Sequence, residues 1–579
     1  QGDLGWRSAG RLRGHPPSLC SLCLSIFPSV CSVMSDEPQA KRLRRKSVAY
    51  FCMEYGLRQG FSIYSGGLGI LAADIVKQSR DMNLPLYGIG IFWNSGYVSQ
   101  SIDKDGNTKD SYPATDRSQL IKQEGIKFSV KIEGKDMPLC VHRVKGAENL
   151  LMIEPEKKKD QKKYTDKLYQ GSDEDRVAQE IILGVGGVRA LRALDINTDI
   201  YHFNEGHAVF AGIELIREKM EKEGAEMTFE QAWAATKNQV IFTTHTPVPA
   251  GNEQHPFARL ETVGANLNLD ADQMKQIGDE PFGMTIAGLR LSYLSNGVAQ
   301  LHGETAREMW KDVSGSSEII AITNGVHCAS WSDPEIISAC ESNNDSKLWE
   351  AHMANKRALI KEVEERTGSK LKEDVFLVGF ARRAATYKRH NLIFKDESSV
   401  FPLLKEGKLQ LVFSGKAHPQ DEGGKEMIKK VSKYQHEFPD AVVYMPNYDI
   451  KLGALITRGS DVWLNNPQRP KEASGTSGMK AAMNGVLNLS IPDGWWPEGC
   501  KHGVNGWKVG DDVNREEEEA YEKDHAALIK VLTEEVIPAY GDKTKWINMM
   551  KASIDMAKYQ FSAERMVHEY YAKMYDVQP

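Results

Sequence analysis

From Ser47 onward, short runs of β-branched and aromatic residues alternate with longer segments whose apolar positions recur every three or four residues. Most of the short runs close on glycine or polar residues. That alternation predicts an α/β fold of two doubly wound, Rossmann-like domains with a cleft between them. Residues 47–51 read as the first core strand, 63–69 as a loop feeding a helix from Ile70, 86–92 as a strand, 127–153 as a β-rich excursion, 157–163 as a charged surface turn and 176–194 as a helix. Three buried-type runs then end in polar residues, at 199–207, 240–248 and 319–327. A second series of strands is expected at 375–383, 409–416, 441–448 and 461–465, with a helical linker over 343–367 before it. The last long helices, 516–537 and 545–575, are expected to pack on the C-terminal half, a return to the first half being open. The division that follows is 1–47, 48–340, 341–372 as linker, and 373–579.

Length adds that one hydrophobic core does not suffice for 579 residues. Apolar residues make up 41% and charged residues 26%, and no uninterrupted apolar run is long enough for a bilayer. A net charge of −6 offers no basic face for nucleic acid, so neither nucleic acid nor membrane is expected as a partner, and the cytoplasm is the expected compartment. The eight cysteines lack metal-like pairing apart from Cys20 and Cys23 near Cys31, so reduced thiols and no metal are the reading. Residues 1–47 differ from the rest, with Arg7, Arg11, Arg13 and a basic run over 41–46. Translated upstream sequence ahead of a start at Met34 is favoured over a targeting peptide or a disordered basic tail.

Three segments carry candidate chemistry. Ser65-Gly-Gly-Leu-Gly-Ile-Leu-Ala-Ala-Asp74 puts glycines at a helix start, where backbone N–H groups and the helix dipole suit an anion; a tight packing turn is the plain alternative. Arg382-Arg-Ala-Ala-Thr-Tyr-Lys-Arg389 places four cations at the carboxyl end of a predicted interior strand, where a phosphate site is favoured over a solvated loop. Glu472-Ala-Ser-Gly-Thr-Ser-Gly-Met-Lys480 combines a carboxylate, short hydroxyls and permissive glycines with a helix-borne amine. Such an amine holds a phosphate or condenses with an aldehyde cofactor.

Together these segments resemble the α-glucan phosphorylases, the family of glycogen, starch and maltodextrin phosphorylases, and most closely its short prokaryotic-type branch. The resemblance runs in family order through Tyr64-Ser-Gly-Gly-Leu-Gly-Ile-Leu-Ala, Asn204-Glu-Gly-His, Thr243-Thr-His-Thr-Pro-Val-Pro-Ala-Gly, Asn296-Gly-Val-Ala-Gln-Leu-His-Gly-Glu, Ile322-Thr-Asn-Gly-Val-His, the cationic segment from Gly379, and the Glu472 to Lys480 motif.

The resemblance implies a glucan-binding first domain and a second domain that binds pyridoxal 5'-phosphate and inorganic phosphate. Lys480 would anchor the cofactor, with Gly66, Gly67, Trp331, Tyr448, Thr476 and Ser477 around it. Arg383 and Lys388 would hold phosphate, and His245 would line the sugar pocket as a fourth catalytic position. Leu68, Gly69, Glu205, His207, Asn324, Glu472, Ala473, Ser474 and Gly475 would contact substrate. The implied reaction is phosphorolysis of the terminal α-1,4-linked glucose of an α-glucan polymer or maltodextrin to glucose 1-phosphate with retention, the hexosyl transfer of this family. The region bearing allosteric and phosphorylation sites in animal and plant members has no counterpart here, Arg382 replaces a lysine, and Ser477-Gly478 replaces a Gly-Asn pair. Nucleotide activation is therefore not carried over, and a homo-oligomer stays open. The nearest rival is a nucleotide-sugar-dependent glucan synthase of the same fold, which would not need Lys480.

Overall fold

The computed structural model describes residues 45–577 except 124, 157–160, 162, 223–226 and 248–251. The basic segment up to residue 44, most of the charged turn at 157–163 and the end of the Thr243 motif lie outside the described residues.

The first half is built on a ten-stranded sheet. Seven of its strands run parallel in the order Glu318–Ala321, Leu294–Gly297, Val240–Thr243, Ile200–Asn204, Val48–Phe51, Leu86–Ile91 and Ala147–Pro155. The expected β-rich excursion closes the sheet with antiparallel strands, Lys135–Val144 pairing Ala147–Pro155 on one side and Leu120–Lys122 and Phe128–Ile132 on the other. The second half holds six parallel strands ordered Val442–Met445, Gln410–Ser414, Leu377–Ala381, Val462–Asn465, Leu487–Ser490 and Gly506–Lys508. Strands covered by helices on both faces are apolar throughout, which is why Val-Ala-Tyr-Phe and Leu-Val-Gly-Phe-Ala are buried at every position.

Helix Asp345–Thr367 links the halves, capped by the Asn344 side chain and ended by Gly368 in the left-handed conformation. Its inner face pins the second sheet through a buried polar node. Lys356 Nζ lies 2.6 Å from Asp461 Oδ2, His352 Nε2 lies 2.9 Å from Asp461 Oδ1, and the Leu377 N–H donates to Asp461. All three side chains are fully buried.

Two elements differ from expectation. The helix expected from Ile70 begins at Gly67 and runs to Asp81, so Gly67, Leu68 and Gly69 form its first turn and not the loop before it. The long helix expected over 545–575 is two: Lys543–Gln560 ends at Phe561, and Ser562 caps a new helix, Ala563–Tyr570. The break is held by the first half, since Val326 N donates to Phe561 O and Ala563 N to Val326 O. Beyond it Met566, Val567, Tyr570, Tyr571, Met574 and Tyr575 join the core of the first sheet. The chain thus does return, and Tyr575 Oη lies 2.6 Å from His202 Nδ1.

The cysteines of the described residues are free thiols. Among the described residues no helix is long and apolar enough to cross a membrane.

Candidate active site

The carboxyl ends of strands from both sheets open onto one cavity of about 410 Å³. Strand Ile200–Asn204 delivers Glu205, Val240–Thr243 delivers His245, Leu377–Ala381 delivers Arg382 and Arg383, Gln410–Ser414 delivers Lys416, and Val442–Met445 delivers Tyr448. The helix starting at Gly67 points its N-terminus at the same space, with no acidic residue in its first turn. A Cβ at Gly66 or Gly67 would meet no atom within 4 Å, so bare backbone faces the cavity there. The first-turn N–H groups of a helix have no partner within it and are available to an anion. The Gly66 N–H is already taken: Glu54 Oε2 accepts from Ser65 N at 2.6 Å and Gly66 N at 3.1 Å, and the Tyr169 hydroxyl donates to Glu54 Oε1 at 2.8 Å. Glu54 therefore fixes the loop, leaving Gly67 and Leu68 to offer donors.

Opposite lies a charge cluster. Lys388 Nζ pairs with Glu472 Oε2, and Arg382 reaches the same oxygen at 2.8 Å. Burial pushes the Glu472 carboxyl up, but the two cations outweigh it and hold it below the ordinary carboxylate range. Arg383 forms no ion pair among the described residues and lines the cavity beside Tyr387. The loop bearing Glu472 is braced from behind: the Glu472 N–H donates to Asp493 Oδ2 at 2.9 Å and Trp495 N to Ser474 O at 3.0 Å. Gly494 is held at φ +59°, and a Cβ there would stand 2.2 Å from Ser474 O, so glycine is required.

Lys480 sits in helix Ser477–Met483, buried, with its ammonium 3.6 Å from the centre of the Trp331 ring. Burial lowers its pKa to about 8, Asp74 acting against that and Lys77 with it. Trp331 is fixed in turn by its Nε1–H, which donates to Asp74 Oδ2 at 2.9 Å. The arrangement brings the neutral amine, the form in which a lysine attacks an aldehyde, within reach near pH 8 at a cavity wall.

The wall carrying His207 and His245 differs in character. Burial pushes His207 and His245 down to about 3, so both imidazoles are uncharged near pH 7. His245 Nε2 lies 2.5 Å from Asn204 Oδ1. Glu205 adopts a left-handed φ of 70° and accepts from the His245 N–H, the Thr246 hydroxyl and its own neighbour Gly206. Three wall atoms, Ser474 Oγ, Asn324 Oδ1 and His207 Nδ1, are buried with no hydrogen-bond partner among the described residues. Buried polar atoms are seldom left so, and hydroxyls of a ligand would satisfy them.

Of the residues expected at the site, Gly66, Gly67, Leu68, Glu205, His207, His245, Asn324, Arg383, Lys388, Tyr448, Glu472, Ala473, Ser474, Gly475, Thr476, Ser477 and Lys480 line this cavity. Trp331 stands behind Lys480. Gly69 does not reach the wall: a Cβ there would lie 2.8 Å from Glu54 Oε2 and from Tyr64 Cβ. Sequence reasoning missed Glu54, Tyr169, Lys416 and Asp493, none of which carries a local motif. Only the Gly-Lys ending of a strand hinted at Lys416. Two clusters, Cys140 with His142 and Glu154, and Glu180 with Glu253 and His255, bring ligating atoms together. In each an arginine already pairs with a carboxylate, Arg117 with Glu154 and Arg176 with Glu253.

The carbohydrate phosphorylase family model matches residues 335–497. Over 91% of its length the chain is 38% identical to the maltodextrin phosphorylase of Thermococcus litoralis, covering 70% of that protein. It is 35% identical to the glycogen phosphorylase of Mycobacterium bovis over the same shares. With the glycogen phosphorylase of Aquifex aeolicus it shares 33% identity over 92% of the chain and 86% of that protein.

Proposed function

Since the chain belongs to the carbohydrate phosphorylase family, we propose that its cavity splits the terminal α-1,4-linked glucose from a glucan such as glycogen, starch or maltodextrin with inorganic phosphate, releasing glucose 1-phosphate with retained configuration. The observation that carries this reading is the meeting, in one cavity, of an anion side and a hydroxyl side. Bare helix-start backbone, Arg383 and Lys388 form the first. The unpartnered Ser474, Asn324 and His207 atoms form the second.

The residues fit pyridoxal 5'-phosphate as resident cofactor. A buried amine with a pKa of about 8 suits its aldehyde, Trp331 packs on that amine, and Tyr448, Thr476 and Ser477 line the wall beside it. When bound, the group supplies a phosphate ester next to the substrate phosphate, and such a group titrates near neutral pH. Everything else is done by the chain. Arg383 and Lys388, with the Gly67 and Leu68 N–H groups, bind inorganic phosphate and offset the repulsion between neighbouring phosphates.

Glu472 pairs with Lys388 and Arg382 and aims them. Both converge on Oε2, leaving Oε1 to accept a sugar hydroxyl. A bound phosphate so oriented passes its proton to the glycosidic oxygen, the C1–O bond breaks, and a phosphate oxygen bonds C1 on the same face. His245 and His207, being neutral, serve as hydrogen-bonding walls and not as proton donors. The halves meeting around 341–372 are taken as the glucan and cofactor domains.

The test is product formation from maltodextrin with and without phosphate. Glucose 1-phosphate is expected only when phosphate is supplied. Glucan extension from a nucleotide sugar, with no product from phosphate, would instead establish the synthase.

A further inference from the structure

Lys416, a cation of the cavity wall, has no role so far. Lys416 lies two residues beyond strand Gln410–Ser414, half-buried, with its side chain on the cavity wall. Its backbone is built onto the cationic turn: the Ala384 N–H donates to Lys416 O at 2.9 Å, and a Cβ on neighbouring Gly415 would stand 2.0 Å from Arg382 O. On its other side Ala417 N donates to Gln100 Oε1 at 3.0 Å. The position of Lys416 is therefore fixed from two directions and tied to the segment that carries Arg382 and Arg383.

Its ammonium makes no hydrogen bond or ion pair among the described residues. The nearest ring, Tyr97, is 5.8 Å away, and that ring also feels the charge of Arg383. Asp449 acts on it from a distance, while burial lowers its pKa to about 8. Compare the other cations of the wall. Lys388 and Arg382 share Glu472, and Lys471 meets Gln468 and, at 4.0 Å, Glu517. Apart from Lys480, which packs on Trp331, Lys416 and Arg383 alone among these stand without a countercharge in contact among the described residues, both near Tyr97. A lysine held in a wall at the cost of partial desolvation, with nothing to pair it, is placed for an anion. A purely structural lysine would show a carbonyl or carboxylate at its ammonium.

We propose that Lys416 is a ligand of a phosphate dianion bound in this cavity, completing with Arg383 a pair of uncompensated cations that the sequence motifs do not reveal. The proposal rests on the phosphorolytic reading of the site. Two anions share the required chemistry, free inorganic phosphate and the phosphate ester of the cofactor, and the experiment separates them.

Lys416→Gln and Lys416→Arg are compared with the wild-type holoenzyme for the KM of inorganic phosphate, the KM of maltodextrin, and retention of cofactor absorbance during dialysis. If free phosphate is the ligand, Lys416→Gln raises the phosphate KM on the order of tenfold or more, as expected for loss of one charge-assisted contact. Cofactor content and glucan KM stay unchanged. If the cofactor's phosphate is the ligand, cofactor is lost faster on dialysis and the phosphate KM moves little. In both cases Lys416→Arg restores most of the loss. Unchanged phosphate KM and cofactor retention in Lys416→Gln, or an arginine variant as impaired as the glutamine one, would overturn the proposal. Should the glutamine variant unfold, Lys416→Met keeps the aliphatic stem and carries the same comparison. A wild-type protein that makes no glucose 1-phosphate would refute the phosphorolytic reading itself, a different outcome from active wild type with indifferent variants.

Discussion

At the scale of single residues the site is an arrangement of charges with unequal partners. Among the described residues Arg383 has no counter-ion in contact and Lys388 shares one, which is the ground for proposing both as phosphate ligands. Replacing either by alanine is expected to lower turnover at saturating glucan by roughly two orders of magnitude or more, since one preorganised charge is worth about 3 to 4 kcal/mol in a transition state. Near-normal turnover in both variants, measured at saturating phosphate, would place these cations in a solvated loop. Lys480 makes a pH prediction. Its folded-state pKa is depressed from 10.5 to about 8 by burial, so the neutral amine is present from about pH 8 upward and not only above 10.5. The rate at which apoprotein takes up pyridoxal phosphate, followed by absorbance, is expected to climb with pH and level off just above 8. A climb continuing to pH 10 would mean that the amine is solvated.

Much of this residue scale was legible because glycine, lysine and arginine in a fixed order carry their chemistry in the chain itself. Glu54 and Asp493 were not legible: each acts through backbone N–H groups of a separate loop, 11 residues or more away, and nothing near either residue marks it. Burial, with the nearby Glu472 carboxylate adding to it, pushes the Asp493 carboxyl up to about 7, a consequence of packing that no local pattern encodes.

Among the elements, strands were the most legible, because a strand covered on both faces is apolar at every position. Helix boundaries were less so. Gly67-Leu-Gly69 reads as loop from its glycines, yet Glu54 ties down the preceding N–H groups and the helix starts three residues earlier. The break at Phe561 was hidden because its cause, the Val326 backbone, is remote in sequence. Linker helix Asp345–Thr367 offers the clearest test of element packing. Lys356→Ala leaves Asp461 in the core with His352 and the Leu377 N–H beside it, and loss of one partner of a buried pair costs about 3 to 5 kcal/mol. A clear drop in urea midpoint is expected, and a change within error would mean that the node contributes little. Burial pushes the Asp461 carboxyl up, but Lys356 and His352 hold it below its ordinary value. Its contribution to stability is therefore present above pH 4 and lost as pH falls through the depressed value.

At the scale of the whole molecule, the parallel strands of two sheets present their carboxyl ends to one cavity, and the C-terminal helix reaches back to close the first core. Removing residues 561–579 would uncover His202 and Asn296, which now pack on or bond to Tyr570 and Tyr575. The truncated protein is expected to lose its cooperative thermal transition or to aggregate. An unchanged transition temperature would show that the return is dispensable. The two-domain α/β plan was legible from alternation alone. The motif-borne residues that line the cavity from both halves were legible too, whereas Glu54, Tyr169 and Lys416, which no motif marks, emerge only from how the halves pack.

The central claim is that this cavity is a phosphorolytic site whose cofactor is carried by Lys480. Borohydride reduction of the purified protein, followed by peptide mass mapping and assay of the reduced enzyme, tests it most directly. The account predicts a pyridoxyl-phosphate mass addition on the peptide containing Lys480 and a measurable share of glucose 1-phosphate formation surviving reduction, because Lys480 only tethers the group. A protein that releases glucose 1-phosphate with no addition on Lys480, or one that loses all activity on reduction as imine chemistry demands, would contradict it.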